Sequence, residues 1–136
     1  MRINESLSAL LTLLMQESWN PDHVAVSKKR MELAAVKAYM DEHYTQKLTL
    51  DDLEAQFFIN KYYLLKIFKE TYGMTISSYL ISKRITRAKQ LLRFTQMTID
   101  EVGCAVGMDG AGYFSRMFKK AEGISPKEYR KQWQQR

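Results

Sequence analysis

The chain has a single cysteine, Cys104, among its 136 residues. No disulfide framework can form, and a lone thiol suits a reducing compartment. No segment offers roughly 18 uninterrupted apolar residues, which excludes a membrane-spanning helix read from the sequence. There is no secretory signal pattern, and a cytoplasmic location is expected. The two histidines, His23 and His43, lack a nearby second ligand, so no metal site and no cofactor are expected. No glycine-rich phosphate loop occurs. The carboxylate pairs Asp41-Glu42, Asp51-Asp52 and Asp100-Glu101 fall at expected helix ends, where they serve the backbone rather than acid–base chemistry. No catalytic residue is expected. No period-two pattern survives, which removes strands and leaves an all-α fold.

Acid is scarce in one stretch. The net charge is +6, but residues 1–27 carry −2 and residues 28–136 carry +8. Between residues 60 and 93 there are eight basic residues and only Glu70 against them. Such an excess suits a polyanion, nucleic acid above all. A hydrophobic content of 46% belongs to a folded chain, large enough for one core or two small ones.

What is present is present twice. Residues 62–79 read YYLLKIFKETYGMTISSY and residues 112–129 read GYFSRMFKKAEGISPKEY. At a spacing of fifty, Tyr63 matches Tyr113, Phe68 matches Phe118, Lys69 matches Lys119, Gly73 matches Gly123 and Tyr79 matches Tyr129. Upstream, Thr49-Leu50-Asp51-Asp52-Leu53 matches Thr98-Ile99-Asp100-Glu101-Val102 at a spacing of 49, so the second copy has gained a residue in its turn. A repeated unit of short helix, turn and basic helix predicts two helix-turn-helix modules, and hence DNA.

Local signals place the elements. Residues 1–18 contain an amphipathic helix, with Ile3, Leu7, Leu10 and Leu14 on one side. It reads as a dimer seam or as a helix docking on a core, and is expected to be what remains of an N-terminal sensing or dimerisation domain. Residues 19–28 read as a linker, punctuated by Asn20-Pro21. The first module, 29–74, opens with a helix over 29–44 whose stripe is Leu33, Val36, Tyr39, Met40 and Tyr44. Thr49 with Asp52 predicts a capping box on a helix ending near Phe57. Asn60 caps a helix that runs to Tyr72, where Gly73 stops it. Thr75 caps a central helix over 76–94, within the joining segment 75–94. The second module, 95–136, begins with the Thr98/Glu101 box and a helix ending near Val106. Gly107 makes the turn, Asp109 caps the next helix, and Ser125-Pro126-Lys127-Glu128 starts the last one. Trp133 is expected to close the core, with Tyr63 and Tyr113 inside it and Cys104 as a small buried apolar residue.

At these residues the chain resembles the DNA-binding domain of the AraC/XylS family of bacterial transcription regulators. The resemblance covers about residues 30–133. It is carried by Gly107, Tyr113-Phe114-Ser115-Arg116, Phe118-Lys119, Gly123, Ser125-Pro126 and Tyr129-Arg130, and by Arg84-Ile85…Ala88…Leu91-Leu92. It implies about seven helices in two homeodomain-like helix-turn-helix subdomains joined by a rigid central helix. It also implies an activator that contacts RNA polymerase and, in most members, an N-terminal domain through which a homodimer forms. Three departures stand out: Glu54 where the family has a small residue, Phe58 where glycine is common, and Ala111-Gly112 where polar side chains are usual.

A recognition helix reads bases through its first exposed side chains. The expected base contacts are Lys61, Tyr62, Leu65 and Lys66 in the first module, and Ala111, Gly112, Ser115 and Arg116 in the second. Leu64, Ile67 and Phe68 are expected on the buried side. Phosphates are expected at Thr49, Lys69, Lys83, Arg84, Thr98 and Lys119. The central helix carries Lys83, Arg84, Arg87, Lys89 and Arg93 with no acid of its own, and so should gain from a negative neighbour. The weak second face leaves one alternative open, an interaction or architectural module with little sequence specificity.

Overall fold

The computed structural model of the chain describes residues 21–110 and 112–134. Among them are seven α-helices and no strand: α1 Pro21–His43, α2 Leu50–Phe57, α3 Lys61–Tyr72, α4 Ile76–Phe94, α5 Ile99–Ala105, α6 Tyr113–Glu122 and α7 Pro126–Gln134. The helix expected within residues 1–18 lies outside the described residues. Residues 21–28, expected as linker, are instead the opening turns of α1. Pro21 accounts for that start, because its missing N–H is no loss at a first helical position. Residues 35–136 form one compact unit, and the chain up to Ala34 belongs to another.

Capping residues set the helix starts. Thr49 Oγ1 accepts from Asp52 N at 3.1 Å and Asp52 Oδ2 accepts from Thr49 N at 3.0 Å, a closed capping box. These bonds from Thr49 hold the Asp52 carboxyl below its usual range. Asn60 Oδ1 accepts from the N–H groups of Tyr62 and Tyr63 at 3.0 and 3.2 Å. Thr75, Thr98 and Ser125 accept in the same way from Ser78, Glu101 and Glu128. Asp109 does not cap α6. That helix starts later, at Tyr113, behind Gly112 in a left-handed conformation with no side-chain cap.

The repeat in the sequence is a repeat in space. The rings of Phe68 and Tyr79 meet edge-on with centroids 5.9 Å apart, and fifty residues later Phe118 and Tyr129 do the same at 5.4 Å. In each copy the fourth helix satisfies carbonyls at the end of the first, α4 counting as fourth of one copy and first of the next. Arg84 donates to Tyr44 O and Gln46 O beyond α1. Gln134, fifty positions on, donates to Leu92 O in α4, and Arg130 donates to the same oxygen at 3.1 Å. Carbonyls at helix C-termini have no partner inside their own helix, so these bonds fix how the helices meet.

The central helix therefore serves twice. Its early turns bury Ile76 and Leu80 and set Tyr79 against Phe68. Its later turns supply Ile85, Ala88 and Leu92 to a second core with Val102, Val106, Met108, Phe114, Phe118 and Tyr129. A second link ties α4 back to α1: the Tyr79 hydroxyl donates to Asp41 Oδ1, and Lys83 Nζ lies 3.2 Å from the same oxygen. Burial and then this bond push the Tyr79 hydroxyl far above its usual pKa.

Four side chains lie elsewhere than expected. Cys104 is exposed, because it sits roughly 200° around α5 from Val102, which faces the core. Tyr63 and Tyr113 are 47% and 37% exposed, at the rim of the stripes whose buried members are Leu64, Ile67 and Phe68, and Phe114 and Phe118. Trp133 is 42% exposed, with the Arg93 guanidinium 4.8 Å over its ring, and it covers the outside of the core rather than closing it.

Candidate nucleic-acid interface

Helix α3 divides into two faces. Leu64, Ile67 and Phe68 are buried, while Tyr62 is 70% exposed and Lys66 and Lys69 are exposed. Lys61 and Leu65 are half-buried beside them. No acid among the described residues pairs with Lys66 or Lys69. Lys61 is different: its ammonium lies 2.8 Å from Asp51, whose hydrogen bond and charge raise its pKa.

In the second module, α6 buries Phe114 and Phe118, leaves Arg116 exposed and Ser115 half-buried, and carries the exposed Lys119 in its last turn. Gly112 lies outside this helix, and Ala111 is outside the described residues. With φ of 75°, Gly112 takes a conformation that costs L-residues energy, and a Cβ on it would come within 2.9 Å of the Arg116 guanidinium. Gly112 is thus not a weak residue within the recognition helix. It is the N-cap, and it leaves room for Arg116 to lie against the start of α6.

The basic run on α4 is answered from other helices. Lys83 pairs with Asp41 of α1, and Lys89 pairs with Glu122 of α6 at 3.2 Å. Arg93 stacks over Phe94 and Trp133. Arg87 bonds to the neutral Gln90 and keeps its charge outward. Arg84, expected on a phosphate, is turned inward onto two backbone carbonyls, and burial lowers its pKa. Spacing along one helix could not reveal Asp41 and Glu122 as partners, since they lie 42 and 33 residues away.

Phe58, between α2 and α3, has φ of 55° and is 93% exposed. A left-handed non-glycine residue costs about 1–2 kcal/mol, and burial of this ring gives nothing back. Phe58→Gly is expected to raise stability by about 0.5–1 kcal/mol, after allowing for the greater freedom of glycine in the unfolded chain. The measurement is the urea midpoint at constant slope. A lower midpoint would show that the ring has a stabilising contact.

Among the described residues no helix is long and apolar enough to cross a membrane, and no group of three or more metal-binding side chains occurs. Two four-helix units that share α4, each presenting a solvent-facing helix behind a tight turn, define a tandem helix-turn-helix domain. A helix-turn-helix domain family matches residues 53–132. The chain belongs to the AraC/XylS family, as an AraC-type DNA-binding domain. It is 35% identical over 105 residues to the MmsAB operon regulatory protein of Pseudomonas aeruginosa, covering 77% of this chain and 34% of that one. It is 35% identical over 103 residues to the F1 operon positive regulatory protein of Yersinia pestis, covering 75% and 34%. The chain thus spans about a third of the length of these relatives. Among solved structures, the C-terminal domain of AraT, a response regulator from Geobacillus stearothermophilus, superposes with a TM-score of 0.72 at 32% identity, covering 74% of this chain and 84% of that one. The DNA-binding domain of AdpA in complex with a target DNA superposes at 0.71 with 25% identity, covering 76% and 93%. A bifunctional transcriptional activator/DNA repair enzyme, AdaA of Bacillus subtilis, is 33% identical over 95 residues, covering 70% of this chain and 45% of that one.

Proposed function

We propose that this chain is the DNA-reading part of a cytoplasmic transcription activator, which sets α3 and α6 into successive major grooves on one face of the duplex. Neighbouring grooves on one face lie about 34 Å apart, and a 19-residue helix such as α4 spans about 28 Å, so one chain has the size to reach both. The observation that carries the reading is the exposed Tyr62–Lys66 face of α3 above its buried Leu64, Ile67 and Phe68. Lys66 suits guanine O6 and N7, and Tyr62 and Leu65 suit a thymine methyl. Lys61 can join them only by leaving Asp51. In the second module Arg116 has the fork for one guanine, and Ser115 adds a smaller contact.

Phosphates fall to Lys69 and Lys119, and to Thr49 and Thr98. Each of these hydroxyls accepts a bond from its own helix and still has a hydrogen to donate. Lys83 and Arg84 leave this set, because their charges are engaged within the fold. RNA polymerase is the further partner, with dimerisation through a separate N-terminal domain. An architectural module without specificity drew its support from the small residues at 111 and 112, and the N-cap position of Gly112 gives one of them a structural reason instead.

The test is competition between duplexes selected from a random pool and unrelated DNA at physiological salt. Preference by at least roughly a thousandfold is expected of a specific reader. Lys66→Ala should cost about 1–3 kcal/mol of discrimination at one base pair and leave the others unchanged. A uniform loss across all sequences would instead put Lys66 on the backbone.

A further inference from the structure

Residues 44–46, the loop after α1, are held from two sides. From α4, Arg84 donates Nε to Tyr44 O at 2.6 Å and Nη2 to Gln46 O at 3.0 Å. From the second module, Gly107 presses on the same loop. A Cβ on Gly107 would lie 2.6 Å from the Thr45 carbonyl oxygen and 2.9 Å from its carbonyl carbon. Both partners in that contact are backbone, so neither can swing aside as a side-chain tip would.

The repeat supplies an internal control. Forty-nine residues before Gly107, in the matching turn, stands Phe58. Both are left-handed, with φ of 83° and 55°. Phe58 shows that this turn does not demand glycine for its backbone conformation alone. Its side chain projects into solvent. What separates the two turns is that the second is docked against the other module's loop, and only a residue without a Cβ can sit there.

We propose that Arg84, Gly107 and the Thr45 backbone form a joint that fixes the register of α3 against α6, and so sets the spacing of the two base sequences that the chain accepts. This rests on the reading of two grooves by two helices. Thr45 leads through its loop into α2 and α3, while Gly107 closes α5 and opens the turn that precedes α6, so the contact of Gly107 with Thr45 ties the two reading modules together in addition to α4. A stiff joint confines tight binding to one separation, because the second contact is gained only where the linkage spans the sites. A loosened joint would accept neighbouring separations. Arg84 and Gly107 are positioning residues here and touch no DNA.

The experiment uses the whole chain and a duplex that it selects from a random pool. The gap between the two halves of that duplex is then changed by one base pair in each direction, which moves one half by about 3.4 Å and about 35°. Wild type should lose at least roughly tenfold in affinity on either shifted duplex, and Arg84→Gln and Gly107→Ala less than about threefold. Both variants should keep wild-type affinity for a duplex containing one half alone. Arg84→Lys, which keeps the charge, should recover part of the spacing penalty. Gly107→Ala also strains the backbone; where circular dichroism shows it unfolded, the Arg84 variants decide. A wild type that selects no two-part duplex would defeat the two-groove reading itself. A wild-type penalty that the folded variants retain would overturn the joint, as would an equal loss on the single half.

Discussion

Phe118→Ala is expected to lower the stability of the folded chain by about 3–5 kcal/mol. Phe118 is fully buried, with its ring 5.8 Å from that of Phe114 and 5.4 Å from that of Tyr129. It shares its core with Ile85, Ala88 and Leu92 of the central helix. Removing the ring leaves a cavity walled by two other rings and a helix held elsewhere along its length, so collapse can fill only part of the space. Against a typical domain stability of about 5–15 kcal/mol, this is a large share of the total. Phe58→Ala makes a size-matched control, because that ring is 93% exposed and its loss should register within about 0.5 kcal/mol. Urea unfolding followed by circular dichroism compares the two. A loss below about 1 kcal/mol for Phe118→Ala would mean that the second core is not packed around this ring.

The second large effect is on the salt dependence of DNA binding. The exposed cations of α3, α4 and α6 are Lys66, Lys69, Arg87, Arg116, Lys119 and Lys120, of which Lys66 and Arg116 are assigned to base edges. About four neutralised phosphates give a slope near −3.6 in log affinity against log salt, a loss of about 150-fold between 50 and 200 mM. Had Lys83, Arg84, Lys89 and Arg93 also faced the duplex, the slope would be near −7 and the loss about 2 × 10⁴-fold. Lys69→Ala should flatten the slope by about one unit, whereas Lys83→Ala, whose ammonium already faces Asp41, should leave it almost unchanged. Equal flattening by the two variants would show that the central helix presents its charge to DNA after all.

The helix starts at Thr49, Asn60, Thr75, Thr98 and Ser125 were legible because a cap is a bond between residues two or three apart. The start of α6 was not. Asp109 has the chemistry of a cap, but the extra residue in the second turn carries the chain through the left-handed Gly110 and Gly112 before the helix begins. Burial was legible on helices with a broad stripe, such as α3, and misleading at edges. Cys104 sits among apolar neighbours in the sequence and Trp133 is itself a large apolar side chain, yet the short helices that carry them turn them outward.

The candidate interface divides in the same way. Tyr62 and Lys66 could be placed on an outer face because Leu64, Ile67 and Phe68 define the inner one within the same three turns. The surroundings of Lys83, Arg84 and Lys89 depend on residues from other helices, which charge counting along one helix does not see.

By itself the sequence determined that the chain is helical, that it is built from two copies of one unit, and which face of α3 looks outward. These follow from interactions between residues a few positions apart and from self-similarity, both of which are written along one dimension. Only the tertiary structure decided which cations remain for a polyanion and why Gly107 cannot be Phe58's equivalent in side chain. Charge neutralisation by Asp41 and Glu122, and the close approach of Gly107 to Thr45, are contacts between segments far apart in the chain, and their energies depend on distances that packing alone creates.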